Sequence, residues 1–98
     1  GGRPKIGEGV QVIAEPTPNP NSMKFTLDRT VIEKGGQSFR SPRDAEQSPL
    51  ARRVFAVRGV QSLFLLNNFI SVTREPDQDW DTIVPQVEAA IREHFTTG

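Results

Sequence analysis

Asp77, Asp79, Asp81 and Glu88 occupy positions 1, 3, 5 and 12 of a twelve-residue window, the spacing at which a calcium-binding loop presents its carboxylates. Thr82 stands where such a loop needs glycine for its sharp turn, and Pro85 interrupts the middle. Carboxylates that favour the positive start of a helix explain the same residues without a metal. His94, with Glu88 and Glu93, is a fragment of a metal site, but it is the single histidine of a chain that has no cysteine. One imidazole without a thiolate cannot close a tight site for a soft metal unless a second chain contributes. His94 therefore reads as a cation that complements a helix C-terminus. No nucleophile, base and orienting group can be grouped without arbitrary choice, which points away from an enzyme.

Arg40, Arg43, Arg52 and Arg53 offer a different chemistry. Beside a helix that starts at Ser48, they suit phosphate, a phosphopeptide or an acidic protein partner. A solvated basic face accounts for them without any ligand. Gly35-Gly36 lacks the Lys-Ser/Thr context of a phosphate-cradling loop. Charge is unevenly spread: Arg29 to Arg58 holds seven basic and three acidic residues (+4), and Glu75 to the end holds six acidic and one basic (−5). The formal net charge is zero, which argues against capture of nucleic acid or membrane by electrostatics.

The most closely specified segment is Thr17-Pro-Asn-Pro-Asn-Ser-Met-Lys-Phe25. Pro18 and Pro20 fix their own φ and push Thr17 and Asn19 toward extended geometry. Asn19, Asn21 and Ser22 can bond their own backbone in tight turns. Met23, Phe25 and Leu27 then alternate with Lys24 and Thr26, as in a strand with one buried face. Such a loop is either a recognition surface built on Asn19, Asn21 and Lys24, or a turn whose side chains satisfy nearby backbone.

The elements that position these residues follow from periodicity. Ninety-eight residues make one domain with a single modest core. Residues 1–9 are Gly-rich without an initiator Met and read as a lead-in or remnant; residues 10–96 form the domain. Val10, Val12 and Ala14 alternate with Gln11 and Ile13 in a first strand ending at Pro16. A second runs from Ser22 to Leu27, with an extension to Ile32 after a turn near Asp28. Lys34 to Gln47 is polar and aperiodic, a surface loop that Phe39 pins to the core. Ser48 as N-cap and Pro49 at the first helical position start a helix with Leu50, Val54 and Val57 on its inner stripe, flanked by Ala51 and Phe55. Gly59 stops it with a left-handed cap. Val60–Leu66 and Phe69–Arg74 form a hairpin turning at Asn67-Asn68.

Loop length decides the faces of that hairpin. A two-residue loop puts Leu63, Leu65, Ile70 and Val72 on one face; a three-residue loop groups Phe64, Ile70 and Val72 instead. Either way large apolar residues remain on the opposite face, a candidate contact surface. After Pro76 a last helix carries Trp80, Val84, Val87, Ile91 and Phe95 toward the sheet, with Pro85 in about its first turn. The expected fold is α+β, two layers in ββαββα order, an antiparallel sheet with two helices packed on one face. No apolar run reaches the roughly 18 residues of a membrane span. The cytoplasm or an organelle matrix is the expected location.

Thr17–Phe25, then Ser48-Pro49-Leu50-Ala51 with Phe55, Gly59 and Val60, then Phe69-Ile-Ser-Val-Thr73 and Trp80, resemble the N-terminal domain of Nfu/NifU-type iron–sulfur scaffold proteins. The resemblance runs from about Val12 to Phe95, and the order and spacing of the pieces are more specific than any one of them. It implies a compact α/β or α+β fold and a role in iron–sulfur cluster assembly. In full-length members a Cys-x-x-Cys motif in a separate C-terminal domain holds the cluster, so this Cys-free chain is expected to stand without that domain and to bind no cofactor, cluster or metal by itself. The resemblance then implies an accessory module touching a scaffold or recipient protein, such as a Cys-bearing Nfu-type domain, as a monomer or weak homodimer. Asn19, Asn21, Lys24, Arg52, Arg53, Phe64 and Phe69 are the expected contact residues. The competing expectation is a phosphate- or phosphopeptide-binding domain using the arginines.

Overall fold

The structure is a computed structural model that describes residues 10–97; the expected lead-in of residues 1–9 lies outside them. Five strands, β1 (Val12–Pro16), β2 (Ser22–Leu27), β3 (Gly36–Phe39), β4 (Val60–Leu66) and β5 (Phe69–Arg74), form one antiparallel sheet in the order β1-β2-β5-β4-β3. Helices α1 (Pro49–Phe55) and α2 (Trp80–Thr97) cover one face. The architecture is the two-layer α+β arrangement read from the sequence, with one strand more than expected.

That strand is β3. The stretch read as a loop from Lys34 to Gln47 contains both β3 and a single 3-10 turn at Pro42–Ala45. β3 pairs with β4 from Gly36↔Leu66 to Phe39↔Leu63 and forms one edge of the sheet. Its order comes from this pairing, since only Phe39 is apolar. As expected, Phe39 anchors the segment: its ring is 2% exposed, inside the core. β2 ends at Leu27 and does not continue to Ile32. The 28–32 segment is held instead by the hairpin tip, where the Asn67 carbonyl accepts from the N–H groups of Val31 (2.7 Å) and Ile32 (3.3 Å).

The hairpin has the two-residue loop, with Leu66 paired to Phe69. Asn67 takes a φ of 56°, a left-handed conformation that Asn tolerates better than most residues. Leu63, Leu65, Ile70 and Val72 therefore share the inner face and are buried with Phe25 and Leu27 of β2. A bulge between Val60 and Ser62 restores the alternation at the start of β4.

α1 buries the expected Leu50, Ala51, Val54 and Phe55, and Val57 follows just beyond it. The Ser48 hydroxyl accepts the Ala51 N–H at 3.3 Å, as an N-cap should. Gly59 is not its C-cap. The helix ends at Phe55 with Ala56 still right-handed, and Gly59, at φ 101°, shapes the later turn into β4. A Cβ there would sit 3.0 Å from the Gln78 side chain and 3.1 Å from Ile83.

In α2 the buried line is Ile83, Val87 and Ile91, one residue every fourth position, with Trp80, Val84, Ala90 and Phe95 only partly covered beside it. The expected stripe was thus rotated: it omitted Ile83, which sits at the centre. Pro85 falls in the second turn rather than the first, leaving the Asp81 carbonyl without its intrahelical donor on the exposed side of the helix.

Candidate interaction surface

Period-2 alternation fixes what the uncovered side of the sheet displays. β1 contributes Ile13 and Glu15, β2 contributes Ser22, Lys24 and Thr26, and β3 contributes Gly36 and Ser38. From the central hairpin come Ser62, Phe64 and Leu66 of β4 and Phe69, Ser71 and Thr73 of β5. The register aligns them in three rows: Ile13, Thr26, Phe69, Leu66 and Gly36; then Glu15, Lys24, Ser71, Phe64 and Ser38; then Ser22, Thr73 and Ser62. None of these residues is buried, whereas the opposite face carries the core. Ile13 is 59% exposed, the one large hydrophobic residue left fully open among the described residues.

An aromatic pair sits at the centre of this face. The Phe64 and Phe69 rings are 6.5 Å apart and tilted by 53°, and the Lys24 ammonium lies 4.6 Å from the Phe69 centroid. Gly36 makes room for Phe64: a Cβ at that position would come within 2.7 Å of the ring. Of the expected contact residues, Lys24, Phe64 and Phe69 are therefore brought together. Two hollows flank them. One, of about 300 Å³, opens at the hairpin tip between Ile32, Glu33, Leu66 and Phe69. The other, of about 270 Å³, opens at the far end between Ser38, Arg40, Ser62, Phe64, Ser71 and Thr73.

Asn19 and Asn21 lie elsewhere, in the β1–β2 loop, where both side chains have structural partners. The Asn21 N–H donates to Asn19 Oδ1 (2.9 Å), and Arg74 Nε donates to Asn21 Oδ1 (3.2 Å). Thr17 Oγ1 lies 2.9 Å from the Asn19 carbonyl and 3.1 Å from the Ser22 carbonyl. The Trp80 indole N–H donates to the Pro20 carbonyl at 3.0 Å, and the Arg74 guanidinium packs 5.5 Å from the Trp80 ring. The Pro/Asn loop is thus stapled to the end of β5 and the start of α2.

Arg52 and Arg53 lie in the helix layer, on the other side of the molecule from the aromatic pair, around a shallow hollow of about 380 Å³ with Pro49 and Ala56. Arg53 is paired with Glu93 at 3.1 Å. The start of α1 is a poor phosphate cradle. Pro49 lacks an N–H, and the Ser48 hydroxyl already takes the one from Ala51.

The acidic candidates resolve locally as well. Asp79 Oδ1 accepts the Asp81 N–H at 3.0 Å, capping α2, so these carboxylates serve the helix start. Glu88 pairs with Arg92 at 3.8 Å. His94 lies in the last turn of α2, as expected, where partial burial, and after it the charge of Arg53, hold its pKa below the ordinary histidine value. Its ring meets Phe95 edge-on at 4.9 Å. No three His, Cys, Asp or Glu side chains among the described residues are grouped to hold a metal ion, and the chain has no thiol. This donor set does not fit an iron–sulfur cluster.

Sequence reading missed the contribution of Ile13 and the hydroxyl row, while Leu66 takes the outward place that the two-residue loop implies. The available signal was the repetition of Ser or Thr at outward positions of β2, β4 and β5, which becomes visible once strand register is known.

The sequence profile described as "Scaffold protein Nfu/NifU N terminal" matches residues 11–98. The NFU1 iron-sulfur cluster scaffold homolog, mitochondrial, of Homo sapiens is 42% identical over 83 residues, covering 84% of this chain and 33% of that protein. NifU-like protein 5, mitochondrial, of Arabidopsis thaliana is 37% identical over 82 residues, covering 84% and 30%. The chain thus spans about a third of the length of these curated relatives. Among solved structures, protein SAV1430 from Staphylococcus aureus superposes with a TM-score of 0.72 at 34% identity, covering 82% of this chain and 96% of that one. A NifU-like protein from Saccharomyces cerevisiae shares the fold, with a TM-score of 0.79 at 22% identity over 91% of this chain and 81% of its own. No helix among the described residues is long and apolar enough to cross a membrane. With the profile spanning nearly the whole sequence and the sheet carrying the expected motifs in the expected order, the chain belongs to the Nfu/NifU N-terminal domain family of iron–sulfur cluster scaffold proteins.

Proposed function

We propose that this domain is a non-enzymatic interaction module of iron–sulfur cluster assembly, contacting a scaffold or recipient protein through the uncovered face of its sheet. The observation that carries the reading is the pairing of an outward aromatic face, built on Phe64, Phe69 and Lys24, with a sequence that has no cysteine thiolate to offer. A cluster is cargo held by cysteines of another domain, and this chain's contribution is to hold that domain, or its client, in place. The mitochondrial names of the relatives support an organelle matrix as the working location.

Two measurements test the proposal. Nitrogen-15 spectra of the domain, titrated with a purified Cys-x-x-Cys domain of the Nfu type, are expected to shift at outer-face amides of β2, β4 and β5. Shifts confined to α1, around Arg52, would move the docking site to the basic helix, and an unchanged spectrum at millimolar partner would end the reading for that partner. Reconstitution of the isolated domain with ferrous iron and sulfide should leave no stable cluster. A stoichiometric, chromatographically stable one would overturn the division of labour.

A further inference from the structure

The two ends of the outer face differ in charge, Glu33 standing at one and Arg40 at the other, and this difference specifies what the face takes. At the hairpin tip the hollow has Ile32, Leu66 and Phe69 as its apolar walls, with Glu33 and Asn67 also lining it. At the other end Ser38, Ser62, Ser71 and Thr73 place hydroxyls around a hollow that Phe64 also lines and Arg40 edges, the Thr73 hydroxyl being 3.2 Å from that of Ser22. The Arg40 backbone N–H is taken by the Asp44 carboxylate at 3.0 Å, but its guanidinium has no ion pair among the described residues. Lys24 has a ring beneath it and Glu15 as its cross-strand neighbour, so its charge is partly balanced on the same face. Glu15, on the edge strand, is the single acid among the outward strand positions.

Resting on the interaction-module reading, we infer that the face receives an extended segment of a partner protein, with an apolar side chain in the Ile32–Leu66–Phe69 hollow and a carboxylate at Arg40 and the hydroxyls. Leu66 and Ser62 are four residues apart on β4, as are Phe69 and Thr73 on β5, which at about 3.4 Å per residue separates the two hollows by roughly 14 Å. An extended segment spans the same distance between side chains i and i+4, both on one side of its backbone. Residue i+2 then lies over the Phe64–Ser71 row and must be small. Glu33 repels a carboxylate from the hairpin-tip end, and a guanidinium beside Ser hydroxyls is well matched to one at the other. Direction and register are both set by this charge difference.

The test uses the peptide acetyl-Leu-Thr-Ala-Thr-Glu-amide, titrated into the nitrogen-15-labelled domain. Saturable shifts are expected at Leu66 and Phe69 and at Ser62 and Thr73 in the same titration. Replacing the peptide Glu by Gln should weaken binding roughly tenfold, the size of a lost charge-assisted hydrogen bond. Arg40→Gln should weaken the Glu peptide by the same factor and leave the Gln peptide unaffected, because both changes remove one interaction. Arg43→Gln, a charge change outside the hollow, should alter nothing. The inference fails if the Glu and Gln peptides bind alike, if no shift saturates, or if inorganic phosphate displaces the peptide at Ser62 and Thr73, which would make the hollow a small-anion site. Outer-face shifts that depend on protein concentration without peptide would assign the face to a second copy and equally overturn it. A failed peptide titration beside a positive one with the Cys-bearing domain removes this inference and leaves the interaction module standing.

Discussion

Phe39 and Phe64 come from adjacent strands and point to opposite sides of the sheet, so truncating each in turn measures whether the two faces differ as a docking surface requires. Phe39 is enclosed, and Phe39→Ala removes a ring from a packed interior, at a cost of about 3–5 kcal/mol. Set against a net stability of about 5–10 kcal/mol for a domain of this size, that is close to half. At about 5 °C per kcal/mol, the melting midpoint should fall by roughly 15–25 °C. Phe64 is partly buried, resting over Gly36 and against Phe69. Phe64→Ala gives up part of that area and one tilted ring contact, about 1–1.5 kcal/mol. Urea unfolding followed by the fluorescence of Trp80, the single tryptophan, reads both values, and an unchanged slope keeps them comparable. If Phe64→Ala cost as much as Phe39→Ala, the outer face would be a second packed interior, and its assignment as a binding surface would collapse.

Further predictions follow from local geometry. Ser48→Ala removes the hydroxyl that caps α1 and should cost about 1 kcal/mol in the same unfolding assay, with Ser48→Asp recovering most of it. Gly59→Ala forces a β-carbon onto a φ of 101° and toward Gln78 and Ile83, a loss of about 1–3 kcal/mol seen as a lowered urea midpoint. His94 titrates below its ordinary value in the folded domain, so the unfolded chain binds its proton first. Stability is then full above about pH 6.5 and is lost as pH falls through the folded-state pKa; His94→Gln should flatten that part of a stability-versus-pH curve, and an unchanged slope would assign it to other groups.

Most of the helices and the central hairpin were legible because their signals are local. Ser48-Pro49 announces a helix start in two residues, and Val60 to Arg74 alternates around a turn that only its φ angles could count. Edge strand β3 was not legible: Gly36-Gln37-Ser38 has no apolar pattern, and hydrogen bonding to β4 supplies the order that composition withholds. In α2, the lines through Trp80 and Val84 and through Ile83 and Val87 are both helical, and only the position of the sheet selects the second. The interaction surface divides in the same way. Lys24, Phe64 and Phe69 stand out singly as outward residues, but the hollow of Ser38, Arg40, Ser62 and Thr73 is assembled from three strands and exists only through their register. Asn19 and Asn21 show the converse, since side chains conspicuous in the sequence are spent on Arg74 and on their own turn.

On the proposed reading, weak docking is a working property of such a face rather than a defect. Its apolar centre is four side chains, three of them partly buried, which is far less than the roughly 800 Å² per partner that stable complexes bury. A cluster must be passed on, so a domain that steers its donor or recipient has to let go quickly, and most tuning of affinity lies in the rate of release. The curated relatives are about three times the length of the segment matched here. Where such a domain shares a chain with the cysteines that carry the cluster, a flexible connection supplies an effective concentration on the order of millimolar, enough to populate contacts that would be sparse between free molecules. Placing recognition on a sheet without thiols, and ligation on a separate domain, also keeps the docking surface unchanged whether or not a cluster is aboard. It follows that substitutions on the outer face should lower the rate of cluster transfer without altering the stability of the cluster on its carrier, and a variant such as Phe69→Ala that destabilised the carried cluster itself would contradict that separation.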